Sequence, residues 1–141
     1  MEITVQESGK GKYAQDINLD RFLLTADEPI AKGGNDLGPS PYDFLLASLG
    51  ACTSMTLRIY ADLKKIPLEK VIVRLTHDKI HAEDCKDCEK KAVKLDHIDR
   101  KIELVGNLSQ EQREKLLEIA NKCPVHRTLT SKILITTELV T

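Results

Sequence analysis

The stretch PYDFLLASLGACTSMTLRIYADLKK, residues 41–65, meets no helix breaker except Gly50. That is about seven turns of continuous helix, and a chain of 141 residues must fold around it. The start is well marked. Ser40 can cap, Pro41 suits the first helical position, and Asp43 stands three residues after Ser40 as an acidic variant of the capping box. Phe44, Leu45, Leu46, Leu49, Met55, Leu57, Ile59 and Leu63 wrap around the helix, which predicts burial on most sides. Ser48, Thr53, Ser54, Thr56 and Arg58 interrupt the apolar run well short of the roughly 20 residues that a membrane span needs.

The segments around this helix read as strands and one further helix. Residues 2–6 and 16–25 have strand character, with SGKGK as a turn between them, and the Gly- and Pro-dense stretch 29–41 is a loop. Residues 69–76 alternate like a strand that extends toward His81, and 97–106 reads as its antiparallel return. Ser109 with Gln112 forms a capping box, opening a helix with a one-sided stripe of Leu116, Leu117, Ile119 and Ala120. KILITTELV closes the chain as a strand. There are no repeats and no linker, so residues 1–141 are expected to form one α+β domain, with helices packed on a largely antiparallel sheet.

Composition narrows the functional classes. A net charge of −1 supplies neither a basic footprint for nucleic acid nor a cationic face for acidic membranes. The first residues, MEITVQESGKGK, lack the basic start and apolar run of a signal peptide, so a cytoplasmic protein is expected. In that compartment paired cysteines lean toward catalysis or metal binding and away from structural disulfides. The chain has no Trp and only five aromatic residues, so its core is built from Leu, Ile, Val and Ala. Such a core fits a domain completed by dimerisation.

Four cysteines then carry the argument. Cys52 lies mid-helix with Ser48, Leu49, Met55 and Thr56 as helical neighbours. It is either an inert buried thiol or a reactive one whose pKa is lowered by a nearby charge or hydrogen bond. Cys85 and Cys88 form C-x-x-C downstream of His77 and His81, which admits a zinc site, a reversible thiol pair or no function. Cys123 directly precedes Pro124, where the chain is forced out of helical geometry. It can be a simple helix-end residue, a metal ligand with His126, or a redox thiol. Arg127 can complement the carbonyl end of the preceding helix.

GPSPYDFLLASLGACTSMTLRIYA, the HAEDCKDCE insertion and KCPVHRTL occur in one order, with Cys52 and Cys123 separated by 71 positions. In these motifs the chain resembles the osmotically inducible protein C and organic hydroperoxide resistance family, OsmC/Ohr, from about residue 20 to the end. The resemblance is narrower to an OsmC-like subgroup carrying GPSPY and CPVHRTL signatures. It implies an intertwined homodimer with the first cysteine on a central buried helix, and thiol peroxidase chemistry without a bound cofactor or metal. Cys52 would attack the O–O bond of a hydroperoxide, most readily an organic one. Cys123 would condense with the resulting sulfenic acid, and an external dithiol would reset the disulfide. Peroxidase members carry a glutamate ten residues before the first cysteine and an arginine from the N-terminal strands. Here that position is Tyr42, with Asp43 one residue later. Nine residues at about 100° each place Asp43 across the helix from Cys52, which favours capping over catalysis. Arg21 and Arg127 are the candidate cations. The rival readings are a non-enzymatic metal-binding or redox-sensing domain centred on His77, His81, Cys85 and Cys88, and a small-ligand module built on the apolar surroundings of Cys52.

Overall fold

The computed structural model describes residues 1–81 and 94–140. The fold is α+β with antiparallel sheets and one long helix, and its contacts divide it into two compact units, Met1–Ala47 and Ser48–Thr141. Cys85 and Cys88 lie outside the described residues, as does the side chain of His81.

The first unit is a meander of β1 (Thr4–Glu7), β2 (Gln15–Leu19) and β3 (Phe22–Ala26). The single strand expected over 16–25 is a hairpin. Leu19 pairs with Phe22, and the two-residue turn between them has Asp20 at φ 56°, a left-handed conformation that aspartate tolerates through local hydrogen bonding. The following loop is organised by one buried carboxylate. Asp27 accepts backbone N–H bonds from Glu28, Asn35 and Leu37 at 2.7, 3.2 and 3.1 Å, which explains how a Gly- and Pro-rich segment keeps a defined path. Helix α1 (Pro41–Leu63) begins here. The Ser40 hydroxyl accepts from the Asp43 N–H, and the Asp43 carboxylate accepts from the Ser40 N–H at 2.9 Å, so the acidic capping box is formed.

In the second unit, β4 (Leu68–His81) and β5 (Lys94–Gly106) make a long antiparallel ribbon. Helix α2 (Gln110–Ala120) opens with the Ser109–Gln112 capping box in full. After it comes a short helix that the pattern did not announce, α3 (Pro124–Leu129), with Pro124 at its first position and Cys123 as its N-cap. Proline ends one helix and starts the next, because its fixed φ and missing N–H suit a first turn. Leu57 and Ala61 of α1, Leu68 of β4, and Leu116, Ile119 and Ala120 of α2 form one buried cluster, with Val71, Ile102 and Leu104 of the ribbon packed against it.

Three expectations are corrected. Within the chain α1 is not buried on most sides. Its buried line is Leu49, Thr53, Leu57 and Ala61, while Met55, Ile59 and Leu63, about 200° around the helix, are exposed. Leu117 is likewise exposed, because it sits one residue out of the α2 stripe. Residues 132–140 form no strand, and Ile133, Leu134, Ile135, Leu139 and Val140 are exposed. A strand exists only when a neighbour accepts its ladder hydrogen bonds, and among the described residues none does so here. By length and mean hydropathy α1 also passes for a membrane-crossing helix, although its Thr53–Ala61 line is committed to protein packing.

Replacing a fully buried side chain in this cluster leaves a cavity. Leu57→Ala is expected to lower stability by about 2–5 kcal/mol, and Leu117→Ala by no more than about 0.5 kcal/mol, as read from urea denaturation midpoints.

Candidate functional site

The two cysteines 71 positions apart in sequence meet in the second unit. Cys52 is half-buried on α1, one residue from the fully buried Thr53. Cys123 is fully buried at the N-cap of α3. Packing of α1 on α2 makes the meeting possible, since Cys123 follows the end of α2 by three residues.

The surroundings of Cys123 act on its charge in opposite senses. Burial raises its pKa. The hydrogen bond from the Cys52 thiol, the backbone N–H groups of His126 and Val125, and the Thr53 hydroxyl lower it, and the lowering prevails. The N-cap thiol makes no formed capping bond, yet it faces the first-turn N–H groups, which stabilise a thiolate as they would any anion at a helix start. The Thr53 hydroxyl has one proton to give. Its oxygen lies 2.7 Å from the Leu49 carbonyl, so the proton serves either that oxygen or the Cys123 sulfur.

The cation at this site is Arg100, a residue that motif reading passed over. Its Nη1 donates to Thr53 Oγ1 at 2.9 Å and to the Ala120 carbonyl at 3.5 Å, and its Nη2 donates to Asn121 Oδ1 at 3.0 Å. Arg100 thereby ties β5 to α1 beside Cys52 and to the end of α2 beside Cys123. A signal for it was present. Ile98, Arg100, Ile102 and Leu104 share one face of the strand by alternation, and an arginine in a core-facing row needs a partner or a purpose. Each candidate named for that role has a local setting of its own. Arg21 belongs to the β2–β3 turn of the first unit, where its guanidinium stacks 5.0 Å from the Phe22 ring. Arg127 is exposed on α3. Asp43 serves the α1 cap.

A cleft of about 390 Å³ shares Arg100 and His126 with the surroundings of the thiols, and Leu49, Asp96, Ile98, Leu129 and Thr130 complete its lining. Burial and the positive charge of Arg100 both hold the His126 pKa below its ordinary value, so the imidazole is neutral near pH 7. His77 Nε2–H donates to the Asp96 carboxylate at 2.9 Å, and Lys79 lies 3.4 Å from the same oxygen. These two partners hold Asp96 below the usual carboxylate range, led by the His77 hydrogen bond. Among the described residues no group of three or more potential metal ligands gathers, and His77 is engaged with Asp96.

Comparison with known proteins gives the class of this fold. A sequence model of the OsmC-like protein family matches residues 33–138, and the chain belongs to that family. Among solved structures, it is similar to an OsmC-like protein from Mycoplasma pneumoniae with a TM-score of 0.71 and 22% identity, covering 91% of this chain and 85% of that one. It is also similar to an organic hydroperoxide resistance protein OsmC from Legionella pneumophila, with a TM-score of 0.65 and 20% identity over 92% of this chain and 90% of that one. The organic hydroperoxide resistance protein OhrB of Bacillus subtilis matches with a TM-score of 0.61 and 17% identity, over 92% and 91% of the two chains. No curated protein matches the chain. At these identities the structural likeness establishes the fold.

Two measurements check the electrostatics. Arg100→Gln removes one of the two causes that depress His126, so the His126 pKa is expected to rise toward its ordinary value in an NMR titration. The lowered pKa also means that, as pH falls through about 6.5, the unfolded chain takes up a proton at this position before the folded one does. Stability at His126 is therefore full above that window and declines as pH drops through it. His126→Gln is expected to flatten that part of the stability–pH curve.

Proposed function

We propose that this protein reduces hydroperoxides, organic ones foremost, through Cys52 and Cys123, with an external dithiol as the electron source. The observation that carries the reading is the hydrogen bond by which Cys52 acts on Cys123, two cysteines from distant motifs, beside an arginine. Membership of the OsmC-like family supports it, as do fold neighbours named for organic hydroperoxide resistance.

Access supports Cys52 as the attacking thiol. Cys52 is the half-buried member of the pair, so a substrate reaches it first, while Cys123 has no exposed surface. The Cys52 thiol gives its proton to the Cys123 thiolate that it already hydrogen-bonds. The Cys52 thiolate then attacks the distal oxygen, the O–O bond breaks, and the departing alkoxide takes up a proton to leave as alcohol. Cys52 is now a sulfenic acid. Attack by the Cys123 sulfur forms the disulfide and releases water, and two electrons and two protons from a dithiol restore both thiols. Arg100 contributes by holding the Thr53 hydroxyl that reaches Cys123, and no cofactor or metal enters the cycle.

Peptide mapping under non-reducing conditions tests the pair. One equivalent of cumene hydroperoxide is expected to produce a Cys52–Cys123 disulfide that is absent beforehand, and Cys52→Ser is expected to abolish turnover. Free Cys52 and Cys123 after that treatment would remove the peroxidase reading. A bond confined to Cys85 and Cys88 would move the chemistry to that pair.

The working form in this proposal is a homodimer in the cytoplasm. The exposed Met55, Ile59 and Leu63 stripe repeats every four residues along α1, opposite the buried one, and the apolar segment 132–140 pairs with nothing in its own chain among the described residues. A second copy would cover both. Ile59→Glu is expected to convert a dimer to a monomer in light scattering coupled to size exclusion. A protein that is monomeric without substitution contradicts this part of the proposal.

A further inference from the structure

The donors of Arg100 can be counted. A guanidinium carries five N–H groups. Both on Nη1 are used, one by Thr53 Oγ1 and one by the Ala120 carbonyl, and one on Nη2 is used by Asn121 Oδ1. All three acceptors are neutral, and Arg100 forms no ion pair among the described residues. That leaves the Nε–H and one Nη2–H without an acceptor among the described residues, and donors on these two neighbouring nitrogens can form the fork that matches the two oxygens of a carboxylate.

The charge of Arg100 is therefore half-buried, uncompensated and held in place on its other edge. A charge so placed favours an anionic partner, because the low local dielectric strengthens the attraction and the protein has already fixed the geometry. Arg100 also lines the cleft of about 390 Å³, a size usual for small-molecule sites. The remaining wall is apolar where Leu49, Ile98 and Leu129 line it, with the neutral ring of His126 and the polar Thr130 completing it. The one acid on the rim, Asp96, directs its charge to His77 and Lys79 and leaves Arg100 without a counterion.

We propose that this cleft is a binding site for a monocarboxylate with a medium-length aliphatic tail, the carboxylate on the free fork of Arg100 and the tail along Leu49, Ile98 and Leu129. The site goes beyond hydroperoxide reduction and does not depend on it. Its ligand need not contain a peroxide bond, and its occupancy is set by charge and shape. His126 is a built-in reporter. A bound carboxylate offsets the Arg100 charge that depresses the imidazole, with Asp96 and Cys123 as the other titratable groups nearby.

Octanoate, octanol and methyl octanoate are titrated into the reduced protein, with heat of binding and the His126 ring proton as readouts. Octanoate is expected to bind, to raise the His126 pKa, and to bind at least about tenfold more tightly than the two neutral compounds. Arg100→Lys keeps the charge but loses the fork, and is expected to weaken octanoate by about tenfold. Equal affinity for octanol, unchanged octanoate binding in Arg100→Lys, or no binding at millimolar concentration overturns the proposal. If Arg100→Lys fails to fold, the comparison of octanoate with octanol in the unsubstituted protein decides alone. Neither readout requires turnover, so a protein inactive toward hydroperoxides is tested equally well, and a failure of carboxylate binding leaves the thiol chemistry untouched.

Discussion

The packing of α1 on α2, through Leu57 and Ala61 against Leu116, Ile119 and Ala120, is the constraint on which the site depends. These side chains are almost wholly withdrawn from water, and interiors packed this tightly transmit small shifts. Thr53 stands one turn before Leu57 on the same buried line, and Cys123 follows Ala120 by three residues. Seating the leucines therefore seats the thiols. The placement of both thiols follows from an apolar contact that includes neither of them.

Arg100 adds the polar half of the same joint. Three elements converge on one guanidinium, which closes the end of α2 by taking the Ala120 carbonyl and the Asn121 side chain while holding Thr53. Helix ends leave carbonyls without partners, and a cation there is favoured by the helix dipole. One residue thus caps a helix, orients the hydroxyl beside a thiol, and charges a cleft. Cys52 hydrogen-bonds Cys123 within that field, the buried thiol having the lowered pKa and the half-buried one the more open surface.

Much of the local structure was legible in the residues. The two capping boxes, the long helix and the ribbon over 68–106 all follow from short-range rules, because a cap or an alternating strand is decided within a few residues. The hairpin at Asp20 was hidden, since a two-residue turn without glycine carries little composition signal. Helix α3 was hidden too, because Pro124 was read as a stop when it is also a start. The segment 132–140 shows the limit in the other direction. Its composition is that of a strand, but strand formation is a property of a pair.

What the sequence by itself determined was the inventory: two thiols in separate motifs, one of them before a proline, a core of aliphatic side chains, and a helix too long to ignore. Family resemblance carried in those motifs named Cys52 and Cys123 as a pair. The place of Arg100 beside them was decided only in three dimensions. Arg100 lies in none of the motifs, but it faces inward on β5, and strand pairing and helix packing bring that face to Thr53, next to Cys52. Contacts across 47 positions of chain, such as Arg100 to Thr53, arise from tertiary packing, and no local propensity encodes them.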